Sequence, residues 1–477
     1  MAHTKEKNLT DPGRMAAYNA LVKIDRSNAY SNIELNAVLN LKNKTRKEKG
    51  MKSGKVIYNP GFVRELTYGV VRNKKYLDYY IDRLARDGIK SIEREIKVLL
   101  RMGIYQIVFM DSVPDHAAVD ETVKIAKLLL PWRDRFVNAL LRSFIRLRDS
   151  DYGKPEETGK NSFFTGPLSE KNIPVPDIKD DIRLTSVMYS CDEGLIKILA
   201  DQYGLEKTRE FLEVSLETPP LYIRVNTIRT SAEDLEESLK AQGFDVSGYS
   251  TDTLIVSGKG ILETKDFLEG KFFVQDASST EAIRSFDPQA GETLIDVCAA
   301  PGGKTFSAAC LMKNRGMIHA MDLHGNKLKA LEKQAKRLGI TIIDTEEHNA
   351  KTVNEKYAAE QADKVLCDVP CSGLGVLRRK PEIKDRPLKN EGNDIAEIQY
   401  QILAASAEYV KPGGMLMYST CTINRIENDD VTDRFLKEHS DFSMESKDLT
   451  LPCAGGPDGF YYCIMKRCGD AAVKAGR

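Results

Sequence analysis

The chain has 477 residues, 42% apolar and 29% charged, which suits about three globular domains and excludes a mainly disordered protein. It starts without an apolar leader and holds no apolar run near the ~18 residues of a membrane span, so a soluble cytoplasmic protein is expected. Its zero net charge is a cancellation: residues 1–150 hold 29 Lys and Arg against 17 Asp and Glu, a net +12, and the other 327 hold 41 against 53.

An N-terminal part of that sign suits an anionic partner, nucleic acid first, because Lys and Arg displace counterions from phosphates. Nine cysteines, an odd number, are scattered between Cys191 and Cys468 with no CxxC pair and no His spacing that completes a zinc set. Neither a disulfide framework nor a metal site is expected.

Residues 14–148 have the helical period: Met15, Tyr18, Leu21 and Ile24 share a face, as do Ile96, Leu99, Gly103 and Ile107, and Phe136, Leu140, Phe144 and Leu147. An all-α domain over 1–150 is predicted. Within it, the stretch Lys42 to Lys55 gathers seven cations around Glu48 and is expected to form a loop able to touch phosphate. Residues 151–181, rich in Gly, Pro, Ser and charge, read as a linker or insert. Residues 182–286 mix patterns, with a strand at Leu221–Asn226 and a helix capped by Ser231, and are predicted to form a small α+β module.

Residues 287–470 alternate short apolar runs (Thr293–Cys298, Met317–Met321, Ile340–Ile343, Lys364–Cys367, Met415–Tyr418) with helical stretches. That alternation predicts an α/β, Rossmann-like domain on a parallel sheet, whose ligands bind at the carboxyl ends of the strands. The first run leads into the turn Cys298–Lys304, with Gly302 and Gly303 where a ligand can approach backbone at a helix start. A nucleotide-triphosphate loop would need Gly where Cys298 stands. Asp322, nineteen positions past Gly303, suits the two hydroxyls of a ribose, and the pair points to an adenosine-type cofactor. Asp368 and Cys371 end the fourth run and Cys421 follows the fifth, so two candidate thiolates and an acid share one rim.

Together DVCAAPGGKT, AMDLH, CDVPCSGLG and YSTCT resemble the RNA cytosine-C5 methyltransferases that use S-adenosylmethionine, and RVNT at Arg224–Thr227 resembles an upstream motif of that family. PDHAAVDETVKIAK and RFVNALLR resemble the NusB-type RNA-binding domain, and the domain order is similar to the RsmB (Fmu/Sun) family of ribosomal RNA methyltransferases. The spacing leaves open which cysteine attacks. The resemblance implies Cys421 as nucleophile, Cys371 in product release, and Asp368 in contact with the cytosine as an acid.

It also implies cofactor contacts at Cys298, Ala299, Ala300, Pro301, Gly302, Gly303, Lys304, Asp322 and Asp368, with Asn349 standing where the family carries an Asp. Arg378, Arg379 and Lys380, with Lys384 and Arg386, follow the Pro-Cys loop and are expected to hold RNA phosphates. The implied partner is 16S ribosomal RNA. A transfer RNA methyltransferase of the same chemistry, or an inactive RNA-binding assembly factor, are the alternatives.

Overall fold

The computed structural model describes residues 10–27, 58–150, 173–357, 362–385 and 391–469; the basic stretch Lys42–Lys55, most of the 151–181 insert and Arg386 lie outside them. The chain divides into two compact units, one of residues 1–217 with 377–387, the other of 218–376 with 388–477. Helices at 181–214, expected within the small α+β module, therefore group with the helices before them.

The first unit is helical: α1 Pro12–Ser27, α2 Pro60–Arg72, α3 Lys74–Leu84, α4 Arg94–Phe109, α5 Asp115–Leu129, α6 Asp134–Asp149, α7 Asp181–Tyr189, α8 Glu193–Tyr203 and α9 Leu205–Val214. Helix α4 (REIKVLLRMGIYQIVF) is apolar almost all round and is buried from Val98 to Val108, as a helix with no polar face must be. Gly69 lets Tyr105 of that helix pass, since a Cβ there would fall 1.9 Å from the ring carbon Cζ. The one strongly charged side chain buried in α4, Arg101, reaches Asp78 at 2.6 Å and Asp25 at 2.9 Å, which compensates its burial.

The second unit opens with a four-stranded antiparallel sheet, order β2-β3-β1-β4, from β1 Tyr222–Val225, β2 Asp245–Ser250, β3 Thr253–Ser257 and β4 Phe272–Val274. Helix α10, Ala232–Ala241, packs on it, and the Ser231 side chain accepts the Asp234 amide as expected of a cap. A single turn, α11 (Lys265–Leu268), and α12 (Ala277–Phe286) lead into the larger domain. Its elements are β5 Thr293–Asp296, α13 Gly303–Leu311, β6 Met317–Asp322, α14 Gly325–Leu338, β7 Ile343–Glu347, β8 Ala362–Asp368, α15 Glu391–Ala407, β9 Val410–Thr420, α16 Asp429–Glu438, β10 Phe442–Thr450 and β11 Phe460–Arg467.

The seven strands run β10-β11-β9-β8-β5-β6-β7. Five are parallel, but β11 pairs antiparallel with β9 and β10 with β11, so the sheet is mixed rather than all parallel. Alternation along the strands splits the core: Leu294, Leu366 and Met417 face one layer, while Ile295, Val365, Cys367, Leu416 and Tyr418 face the other. The chain order reverses between β5 and β8, and on open sheets of this kind ligands bind beyond the strand ends at such a reversal.

The RVNT motif ties the small sheet of this unit to the end of α14. Arg224, almost wholly buried, pairs with Asp252 at 2.7 Å. Asn226 Nδ2 donates to the carbonyls of Gly270 and Leu338, at 2.7 and 2.8 Å.

Candidate active site

Parallel pairing sets Asp368, the last residue of β8, beside Ser419 of β9. Ser419 Oγ donates to Asp368 Oδ1 at 2.8 Å, and Lys304 Nζ donates to Asp368 Oδ2 at the same distance. Lys304 thus leaves the glycine turn to pair with the acid, lying 4.6 Å above the ring centre of Phe460 on the way. A cation and a hydroxyl fix the carboxylate's orientation in a half-buried position.

The loops after β8 and β9 bring Cys371 and Cys421 together, with Sγ–Sγ 3.2 Å. The Gly375 amide donates to the Cys421 carbonyl at 3.0 Å, and the Val369 amide to that of Ser419 at 3.1 Å. The Cys371 thiol is pushed well above its ordinary range, first by its hydrogen bond with Cys421 and then by burial. Its proton therefore stays on Cys371.

Beneath this loop lies Glu427, fully buried. It accepts from the Ser372 amide at 2.8 Å, Ser372 Oγ at 2.5 Å, Asn424 Nδ2 at 3.0 Å and Gln399 Nε2 at 3.2 Å. Gln399 also donates to the Pro370 carbonyl at 2.9 Å.

On the cofactor side, Gly302 has φ of 109°, and a Cβ there would fall 2.4 Å from the Phe306 ring. Only glycine suits that position. The Ala299 amide donates to the Met321 carbonyl at 2.8 Å, fixing the turn to the end of β6.

Residues 283–457 match the family described as 16S rRNA methyltransferase RsmB/F, 12–146 the NusB family, and 193–260 the RsmF/B-like ferredoxin-like domain. The chain is 34% identical to "Probable ribosomal RNA small subunit methyltransferase B" of Bacillus subtilis (strain 168), covering 96% of this chain and 99% of that one. It is 30% identical to "Ribosomal RNA small subunit methyltransferase B" of Shewanella oneidensis over 88% of this chain and 92% of that one. A crystal structure of a methyltransferase homologue from Pyrococcus horikoshii superimposes with a TM-score of 0.54 at 25% identity, covering 61% of this chain and all of that one. The chain belongs to the ribosomal RNA small subunit methyltransferase B family.

The cofactor of this methyltransferase B family is S-adenosylmethionine, and the residues present fit it. Asp322, at the end of β6 and 7% exposed, holds a carboxylate whose Oδ1 accepts the His324 amide at 3.0 Å. Burial pushes the Cys298 thiol well up, and the carboxylates of Asp296, Asp368 and Asp322 push it the same way. These acids around the turn suit a cationic donor.

Asn349 follows β7, is exposed, and its Oδ1 accepts the Lys351 amide at 3.2 Å. Sequence reasoning passed over Asp296, whose carboxyl is wholly buried and raised to about 7, mainly by burial, while it accepts from Thr305 Oγ1 at 2.7 Å. It also missed Ser419, adjacent to the Thr-Cys pair, and Glu427, whose role no spacing rule announces.

The expected phosphate cluster after the Pro-Cys loop needs correction. Arg378 is 2% exposed and Lys384 is 1% exposed, both within the helical unit. The Arg378 carbonyl accepts from Arg72 Nη2 at 3.1 Å. Lys384 Nζ donates to the carbonyls of Tyr189 and Arg72 and to Ser215 Oγ, at 2.8, 3.2 and 3.2 Å. The ends of α2, α7 and α9 thus converge on one ammonium, which satisfies carbonyls that helices leave open. Of the five cations, Lys380 is exposed and Arg379 half-buried.

Proposed function

We propose that this enzyme methylates carbon 5 of a cytidine in 16S ribosomal RNA through a covalent bond between Cys421 and carbon 6 of the base. Carbon 5 of cytosine is a poor nucleophile; a thiolate added at carbon 6 turns the ring into an enamine able to take a methyl group. S-adenosylmethionine, when bound, supplies that methyl. Removal of the carbon 5 proton then expels Cys421 and restores the ring.

The contact between the two sulfurs supports this reading. The 3.2 Å approach sets the Cys371 thiol, which burial and the contact hold protonated, directly beside the sulfur assigned to attack. Asp368 contacts the cytosine edge and serves as the acid as electrons move into the ring. Lys304, 2.8 Å from that carboxylate, offsets negative charge that develops on the ring during attack. Cys371, beside the bond to be broken, assists release. A base inside a stacked helix must be extruded to reach this rim.

Transfer of a tritiated methyl from the cofactor to deproteinised 16S ribosomal RNA, with bisulfite sequencing of the product, tests the proposal. A single non-converting cytidine supports it. Label on transfer RNA instead moves the substrate. Absence of label on both overturns the catalytic reading in favour of an assembly factor.

A further inference from the structure

The single tryptophan of the chain, Trp132, is 92% exposed. It sits between α5 and α6 with φ of 74°, a left-handed conformation that a bulky residue adopts at a cost. The Arg133 amide, donating to the Leu130 carbonyl at 3.1 Å, closes the turn that holds it there. Leu128 and Leu129 beside it are 61% and 41% exposed. A fold that merely needed a turn here has no use for the largest apolar side chain in water under backbone strain.

The helix that follows it is cationic along one face. Arg135, Arg142 and Arg146 are exposed and lie within about 40° of one another around α6, spread over roughly 16 Å of its length. Arg142 Nε bonds to Asn138 Oδ1 at 3.0 Å and Arg146 Nη2 to Ser143 Oγ at 2.8 Å. Among the described residues none of these three arginines, nor exposed Lys127, has a carboxylate partner, whereas Lys124 and Arg133 nearby are paired with Glu121 and Glu93. An aromatic face at the head of a row of uncompensated guanidinium groups is the chemistry that binds a single strand: a base stacks and the following phosphates are neutralised.

We propose that Trp132 is a stacking platform for an unpaired base of the substrate RNA, with Arg135, Arg142 and Arg146 holding the phosphates that follow. The assignment rests on the RNA substrate of the proposed function and adds a second place where that RNA is held. A protein partner is the disfavoured occupant, because unpaired arginines beside the apolar patch call for a polyanion.

Since the chain has one tryptophan, its fluorescence reports this site alone. Titrating the full-length protein with an oligouridylate of about a dozen nucleotides should quench that emission saturably. By anisotropy of labelled RNA, Trp132→Ala should bind roughly five- to a hundredfold more weakly, and Trp132→Phe should recover most of the loss. An unchanged melting temperature in each variant excludes misfolding as the cause. Replacing the three arginines by Ala should reduce the log–log salt slope by about two.

Unquenched emission together with wild-type affinity in Trp132→Ala overturns the proposal. So does an affinity loss seen only toward protein-bearing small subunits and not toward naked RNA, which would assign the patch to a protein. Cys421→Ala keeps the two readings apart: it should stop methyl transfer and leave the quenching intact. Quenching without any cytosine methylation by the wild-type enzyme would overturn the proposed reaction and support this site.

Discussion

Glu427 and Ser372 are joined twice: the carboxylate accepts the serine amide at 2.8 Å and its hydroxyl at 2.5 Å, next to the cysteine at 371. With Asn424 and Gln399 as further donors, a wholly buried carboxylate becomes the anchor of the Pro-Cys loop. Glu427→Gln replaces one acceptor with a donor that faces other donors, so a buried bond is lost and a clash of N–H groups appears. We expect a stability loss of about 1–3 kcal/mol and a turnover defect of roughly ten- to a hundredfold with little change in cofactor affinity. A turnover equal to wild type at the same melting temperature would remove the anchoring role.

The two cysteines should fail differently. Cys421→Ala should abolish methyl transfer while cofactor affinity, measured by calorimetry, stays near wild type. Cys371→Ala keeps the attacking sulfur and loses the neighbour that aids its departure, so a protein–RNA adduct stable in denaturant should accumulate on gels after incubation with cofactor. Rapid turnover by Cys371→Ala with no retained RNA would contradict the release role.

Asp296 predicts a pH dependence. Its folded carboxyl titrates near 7, about three units above its ordinary 3.8. Between those values the folded state binds the extra proton, so this group's contribution to stability falls as pH rises and is fully lost above about 7. Asp296→Asn mimics the protonated form and keeps an acceptor for Thr305. Its thermal transition should lie above wild type at pH 8, by a difference on the order of 3–4 kcal/mol, and approach wild type near pH 4. An equal offset at both pH values would show that burial does not set the titration.

Much of this site was legible because it lies where parallel strands end. Strands buried on both faces carry apolar runs, so β5, β6, β8 and β9 stood out and the residues just after them were the cysteines, Asp322 and Asp368. Edge strands escape that logic. IDTEE of β7 was reached only at Ile343, and FSMESKDLT of β10, exposed over most of its length, has no apolar run. The sheet is mixed because β11, inside that edge, runs antiparallel to β9. Arg378 and Lys384 were misjudged for a related reason. A cation is read as surface unless its acceptors are known, and those of Lys384 come from helix ends far away in the chain.

Lys384 gives the last test. Burial lowers its folded pKa to about 7 from 10.5, so between those values the unfolded chain holds the extra proton and stability rises with pH. Lys384→Met removes the buried amine but orphans two carbonyls and a hydroxyl, at about 1–3 kcal/mol for each unsatisfied group. Relief from desolvating the ammonium offsets part of that, so a net loss of about 2–4 kcal/mol is expected at pH 7. Because the variant lacks the titrating amine, its deficit should widen between pH 7 and pH 9, read as the gap between melting temperatures. Its RNA affinity should keep the wild-type salt slope, since a side chain 1% exposed reaches no phosphate. A slope reduced by close to one, with unchanged melting, would instead return Lys384 to the RNA interface.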